Sequence, residues 1–166
     1  AQTSSRKFSA EGEFTNNCEG PAVDENGNVY VVNFARDGTI AIINKKGKTG
    51  FFVTLPKGST GNGIRFGDRS TFYVADFTGH NILKVDLITK DISVFANEPR
   101  MNQPNDLAIT AKGLIFCSDP NWKEGTGQIW LVTPDGKTSL AAENMGTTNG
   151  IDISPDEKTL YVNESV

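Results

Sequence analysis

Hydrophobic residues fall along this chain in short runs rich in Val, Ile, Phe, Tyr and Thr, each closed by a polar turn. Runs of that length and composition between turn signals predict β-strands. The turn signals are Glu25-Asn26-Gly27-Asn28, Arg36-Asp37-Gly38, Lys46-Gly47, Thr78-Gly79-His80, Pro134-Asp135-Gly136 and Pro155-Asp156-Glu157. Their residues tolerate or enforce tightly bent backbone. Four strands are predicted at 21–24, 29–34, 39–44 and 50–55, and four at 63–66, 71–77, 81–86 and 91–96. Four more are predicted at 106–110, 114–119, 127–133 and 138–142, then two at 151–154 and 159–163. No stretch carries a helical period, so the class is all-β.

The strands recur as a repeat. Glu19-Gly20-Pro21-Ala22-Val23-Asp24, Asn62-Gly63-Ile64-Arg65-Phe66, Asn105-Asp106-Leu107-Ala108-Ile109 and Asn149-Gly150-Ile151-Asp152-Ile153 share one pattern. Each opens on a carboxylate or carboxamide, continues with a small or acidic residue, and then alternates. The opening residues stand 43, 43 and 44 positions apart. Four antiparallel strands in a unit of that size mark a blade of a β-propeller. A solenoid or sandwich uses similar strands, but a sandwich has no reason to restart at this interval on a polar residue. The expected fold is a propeller of four-stranded antiparallel blades. Its blades cover about 18–58, 59–101 and 102–145, with a partial blade at 146–166, about three and a half in all. An N-terminal segment, 1–17, precedes them, and residues 6–14 suit an outer strand that closes the ring on a last blade.

Composition narrows the setting. The 16 basic and 20 acidic side chains leave a net charge of −4, and 37% of residues are hydrophobic, which is too apolar and too weakly charged for a disordered chain. No apolar run approaches the roughly 18 residues of a membrane span. Lys45, Lys46 and Lys48 make one solvated turn rather than a basic patch, so neither nucleic acid nor membrane is an expected partner. Cys18 and Cys117 are too few for a disulfide framework and read as two free, mostly buried thiols. The small polar start, Ala1-Gln2-Thr3-Ser4-Ser5, suits the product of signal peptidase cleavage or an artificial junction. A secreted or periplasmic location fits the first of these, and a cytoplasmic one stays open.

In a propeller the innermost strand of every blade lines the central channel, so a residue repeated at one place in each blade forms a ring. Here the ring holds Glu19, Asn62, Asn105 and Asn149, all oxygen donors. Hard divalent cations, Ca²⁺ above all, accept such donors in flexible geometry. The lack of His and Cys argues against zinc or copper. Local turn-making by Asn is the alternative reading, although a carboxylate such as Glu19 at a buried channel mouth would need a partner. His80 reads as a solvated turn residue.

Cys18-Glu19-Gly20-Pro21-Ala22-Val23-Asp24 resembles the opening motif of the senescence marker protein/gluconolactonase (regucalcin-like) family. Pro104-Asn105-Asp106, Asp119-Pro120-Asn121-Trp122, Gly127-Gln128-Ile129-Trp130, Thr148-Asn149-Gly150-Ile151-Asp152-Ile153-Ser154-Pro155-Asp156 and Thr159-Leu160-Tyr161-Val162 are similar to its later motifs. The likeness runs from about residue 8 to the end. It implies the N-terminal part of a six-bladed propeller with a catalytic divalent metal, usually Ca²⁺, at the top of the channel. By motif, Glu19, Asn105 and Asn149 match three of the family's four metal ligands. The fourth ligand, an Asp that also serves as base or nucleophile, belongs to a motif beyond residue 166. Asn62, Arg65, Asn121 and Trp122 are candidates for substrate contact or for support of the metal site.

The implied activity is metal-dependent hydrolysis of a sugar lactone or similar small cyclic ester by attack of water. Two alternatives remain: a non-catalytic, calcium-stabilised binding module, and a phosphotriesterase of the diisopropylfluorophosphatase type. A row of three and a half blades leaves edges unpaired. Either self-association closes the ring, or these residues are part of a longer chain.

Overall fold

The structure is a computed structural model and describes residues 4–165. Ala1, Gln2 and Thr3, which open the stretch read as a processed N-terminus, lie outside the described residues, as does Val166. The chain forms β1 (Ala22–Val23), β2 (Val29–Val32), β3 (Thr39–Ile43), β4 (Thr49–Thr54), β5 (Gly61–Phe66), β6 (Thr71–Asp76) and β7 (Asn81–Asp86). It continues with β8 (Ile92–Asn97), β9 (Leu107–Ile109), β10 (Ile115–Asp119), β11 (Gln128–Val132), β12 (Thr138–Ala142), β13 (Thr148–Ile153) and β14 (Leu160–Glu164). These build three antiparallel meanders, β1-β2-β3-β4, β5-β6-β7-β8 and β9-β10-β11-β12, followed by the hairpin β13-β14. The fold is an all-β, partial propeller.

The middle strands of the second and third sheets read as nearly continuous apolar runs because both their faces are covered by neighbouring sheets. In β6, Phe72 and Val74 enter a core shared with Tyr30, Val32, Ile40 and Phe52 of the first sheet. Ala75, from the opposite face, enters the next core with Leu107, Ile115, Cys117 and Trp130 of the third sheet. A third core joins Ala108 and Ile129 to Ile151 of the hairpin, with Phe116, Leu160 and Val162 packed around it. Three apolar interfaces in series therefore order four sheets. The outer strands β4, β8 and β12 face solvent on one side, where Phe51, Val94 and Leu140 are exposed.

The innermost strands differ most from expectation. β1 holds only two residues, because Gly20 is in left-handed backbone (φ 35°) and Pro21 has no N–H to give the ladder. β5 and β13 instead start earlier than expected. Each contains a bulge, between Gly61 and Ile64 and between Thr148 and Ile151. Segment 6–14 forms no strand; Phe14 makes a single bridge to Phe34 of the first sheet.

Glu98, just past β8, pins the link between the second and third sheets. Its buried carboxylate accepts hydrogen bonds from Arg100 N at 3.0 Å, Arg100 Nε at 2.8 Å, Arg100 Nη2 at 2.9 Å and Thr138 Oγ1 at 3.0 Å. The Arg100 guanidinium also lies over the Trp130 ring, 5.0 Å from its centroid. Hydrogen bonding from the Arg100 side chain pulls the Glu98 carboxyl from its ordinary 4.5 down to about 2, against the opposing effect of burial. A carboxyl depressed on folding stabilises fully above its unfolded pKa, and that contribution is lost as pH falls through the folded value. Glu98→Gln is expected to flatten the loss of stability between about pH 5 and pH 2, measured as urea midpoints across that range. A slope equal to that of the parent chain would contradict this role.

Candidate functional site

Each of the four sheets brings one ring residue to the central axis at or just before the start of its inner strand. Asn62 and Asn149 sit inside the bulges of β5 and β13. Asn105 occupies the matching place in the third sheet: its N–H donates to Ser118 O at 2.9 Å, while Ser118 N donates to Asp106 O at 3.0 Å. Two residues thus face one. A bulge re-aims the side chain it carries, which turns these carboxamides out of the ladder.

Successive sheets are tied at the same points, twice through main chain and once through a side chain. Ile64 N donates to Gly20 O at 2.9 Å, Gly63 N to Asn105 O at 2.7 Å, and Ser118 Oγ to Asn149 O. Gly20 and Gly63 permit this approach. A Cβ on Gly20 would collide with Gly63 Cα, and one on Gly63 would stand 2.8 Å from Asn105 O and 2.6 Å from Asp106 Oδ1.

Above these ties lies a cavity of about 230 Å³ lined by Glu19, Asn62, Asn105, Asn149 and Trp122, together with Asn16, Asn17, Asn33, Thr60, Gly61 and Phe77. The structure therefore brings the four ring residues and Trp122 around one space. The Asn105 side chain makes no hydrogen bond among the described residues, and Asn149 spends its Nδ2 on Ser165 Oγ at 2.7 Å, leaving Oδ1 for the cavity. Trp122 is 45% exposed, so its indole is a wall rather than part of a core.

Asn121 and Arg65 point away from this cavity, and three expectations, on Glu19, Cys18 and His80, are corrected. Asn121 does not line this cavity: its amide closes a local turn, accepting from Glu124 N at 3.0 Å and donating to Thr126 Oγ1 at 3.2 Å. Arg65 borders a different cavity, with Asp106, Ile151 and Tyr161, because its long side chain reaches across the axis to the next two sheets. Glu19 is exposed rather than buried. Cys18 beside it is an exposed thiol, while Cys117 is the buried one. Partial burial, and then the nearby Glu19 charge, push the Cys18 thiol above its ordinary range. His80 is half-buried in left-handed backbone (φ 55°), and its Nδ1 lies 2.6 Å from the Met101 carbonyl. That contact requires the proton on Nδ1.

The sequence reading missed the residues that hold the loops. Asn33, Asp76 and Asp119 are fully buried and stand 14 positions after Glu19, Asn62 and Asn105, each at the end of its sheet's second strand. Asn33 donates to Asn17 O at 2.7 Å and Gly61 O at 3.0 Å. Asp76 accepts from Thr60 N at 3.1 Å, Ser59 Oγ at 2.8 Å and Asn81 Nδ2 at 2.9 Å. Asp119 accepts from Asn102 N at 2.9 Å, Gln103 N at 2.6 Å and Trp130 Nε1 at 3.0 Å. Burial raises the Asp119 carboxyl in spite of these donors. Extending the repeat comparison by one strand exposes the signal, a polar residue closing each second strand.

Among the described residues no three His, Cys, Asp or Glu side chains gather as a metal cluster. The donor set of the cavity is one carboxylate with carboxamides, all hard oxygens and without thiolate or imidazole. That chemistry fits a hard divalent cation and not a soft one.

Comparison with known proteins agrees with this architecture. Residues 57–166 match the model of the SMP-30/Gluconolactonase/LRE-like region. A gluconolactonase of Zymomonas mobilis is 30% identical over 174 aligned positions, covering 89% of this chain and 48% of the relative. The chain thus spans about half the length of the curated relative it matches. The crystal structure of a calcium-binding regucalcin from Agrobacterium tumefaciens superposes with a TM-score of 0.72 at 21% identity, over 89% of this chain and 50% of that one. A chain of a nidogen/laminin complex superposes with a TM-score of 0.79 at 16% identity, over 95% and 59%. At these identities the structures bear on the fold alone. The chain belongs to the SMP-30/gluconolactonase/LRE-like family of propeller proteins.

Proposed function

We propose that this chain carries the metal-holding part of a lactonase site of the gluconolactonase type, acting on a sugar lactone or similar cyclic ester. The observation that carries the reading is the convergence of Glu19, Asn62, Asn105 and Asn149 from four separate sheets on one cavity. Glu19 would supply charge to a bound Ca²⁺, and Asn105 and Asn149 neutral oxygens. When bound, such a cation supplies Lewis acidity toward an ester carbonyl. Trp122 and Phe77 would give a ring-shaped substrate an apolar wall, with Asn16, Asn17 and Asn62 placed to hydrogen-bond its hydroxyls.

Calorimetric titration with CaCl₂, run beside pH-stat assays on several aldonolactones, tests the reading. Glu19→Gln is expected to weaken Ca²⁺ binding about tenfold or more, because ligand charge sets the affinity of such sites, and to abolish chelator-sensitive turnover. Unchanged Ca²⁺ affinity in that variant removes the site assignment. Calcium-dependent stabilisation without turnover on any lactone would favour a binding module, and turnover only on phosphotriesters the third reading.

A further inference from the structure

One side chain crosses the channel beneath the cavity. Arg65 projects from β5, and its Nε donates to the Leu107 carbonyl, while Nη2 donates to Asp106 Oδ2 at 3.3 Å and to the Ile151 carbonyl at 3.1 Å. Asp106 answers with both oxygens: Oδ1 accepts Leu107 N at 2.8 Å and Oδ2 accepts Ile151 N at 3.2 Å. A single guanidinium thereby joins the second sheet to the third and to the hairpin. Every acceptor lies one or two residues from Asn105 or Asn149, and Arg65 itself is three residues from Asn62.

We infer that Arg65, with Asp106, is a positioning residue that sets the spacing of Asn62, Asn105 and Asn149 and through it the affinity of the cavity for a divalent cation. The inference rests on the metal reading above. The ties described above already link neighbouring sheets, but each of them spans one interface only. Arg65 is the contact that spans two, reaching Ile151 from β5. The job suits an arginine, whose planar fork serves several acceptors in fixed directions, whereas a lysine ammonium would satisfy a subset with looser geometry. Nε and Nη2 are given to protein oxygens next to Asn105 and Asn149, and through these the group acts on the ring.

The test compares the parent chain with Arg65→Met, Arg65→Lys, Asp106→Asn and, as a control, Arg69→Met, whose side chain is exposed and pairs with Glu25. Ca²⁺ affinity is measured by calorimetry, and stability by urea denaturation in chelator. Arg65→Met is expected to bind Ca²⁺ at least about tenfold more weakly, at a temperature where circular dichroism shows it folded. Arg65→Lys should recover only part of the loss, and Arg69→Met should bind Ca²⁺ as the parent chain does. A fall in stability with parent-like Ca²⁺ affinity makes Arg65 a structural tie only and overturns the inference. Should Arg65→Met fail to fold, the same comparison is read on Asp106→Asn, which keeps the shape of the side chain. A parent chain that binds no Ca²⁺ overturns the metal reading and this inference together; a binding parent with indifferent variants overturns the inference alone.

Discussion

Phe72→Ala is expected to lower the unfolding free energy by about 3–5 kcal/mol, the range for removing a large aromatic from a closed core. Phe72 has no solvent exposure and sits in the middle of the interface between the first two sheets. Its ring centroid is 5.4 Å from that of Tyr30, 5.7 Å from Phe66 and 6.1 Å from Phe52. Tyr30 in turn meets Phe52 and Phe66 edge-on, at 5.1 and 5.7 Å. Truncation therefore removes the centre of a four-ring cluster that β-strands on both sides cannot collapse to fill. Urea denaturation of Phe72→Ala and Phe72→Leu would measure the effect, with Leu recovering more than half. A loss below about 1 kcal/mol, as at a surface site, would mean that the two sheets are held by something other than this cluster.

Asp119→Ala is the second large expected loss, about 3 kcal/mol or more, from orphaned donors rather than from lost apolar contact. The carboxylate takes Asn102 N, Gln103 N and Trp130 Nε1 in a site with no exposed surface. Among the described residues only Trp130 has a second acceptor, Gln128 Oε1 at 3.1 Å. Asp119→Asn should be costly too, since an amide nitrogen must then face one of these donors. The effect should also reach the cavity, because Asn102 and Gln103 lead directly into Pro104 and Asn105. Paired measurements of urea midpoint and Ca²⁺ affinity would show both falling. Stability within about 0.5 kcal/mol of the parent chain would sink the account.

Much of this was legible in the sequence because sheets buried on both faces leave a strong imprint. Each middle strand must be apolar at nearly every position, and each inner strand must restart at the axis, so strands and repeat can be read together. The ring residues were visible for the same reason: Glu19, Asn62, Asn105 and Asn149 keep phase with the repeat. Direction and reach of side chains were not visible. Asn121 and Trp122 are adjacent, yet one closes its own turn and the other walls the cavity. Arg65 sits three positions from a ring residue, but its length carries it beneath the ring. The braces Asn33, Asp76 and Asp119 leave no distinct mark, because a polar residue ending a strand resembles any turn until its donors are known.

The contact of Gly20 with Gly63, and of Gly63 with Asn105 and Asp106, divides the cavity into parts with different freedom to change. The chain that carries Glu19, Asn62 and Asn105 is backbone pressed on backbone, where even one added methyl has no room. The rim of the cavity is made of Trp122, Asn16 and Asn17, side chains whose replacement disturbs no interface between sheets. Under the proposed function, selectivity for one ligand over another can therefore drift at the rim while the arrangement of donors stays fixed, so a single scaffold would serve ligands of different shape without being refolded.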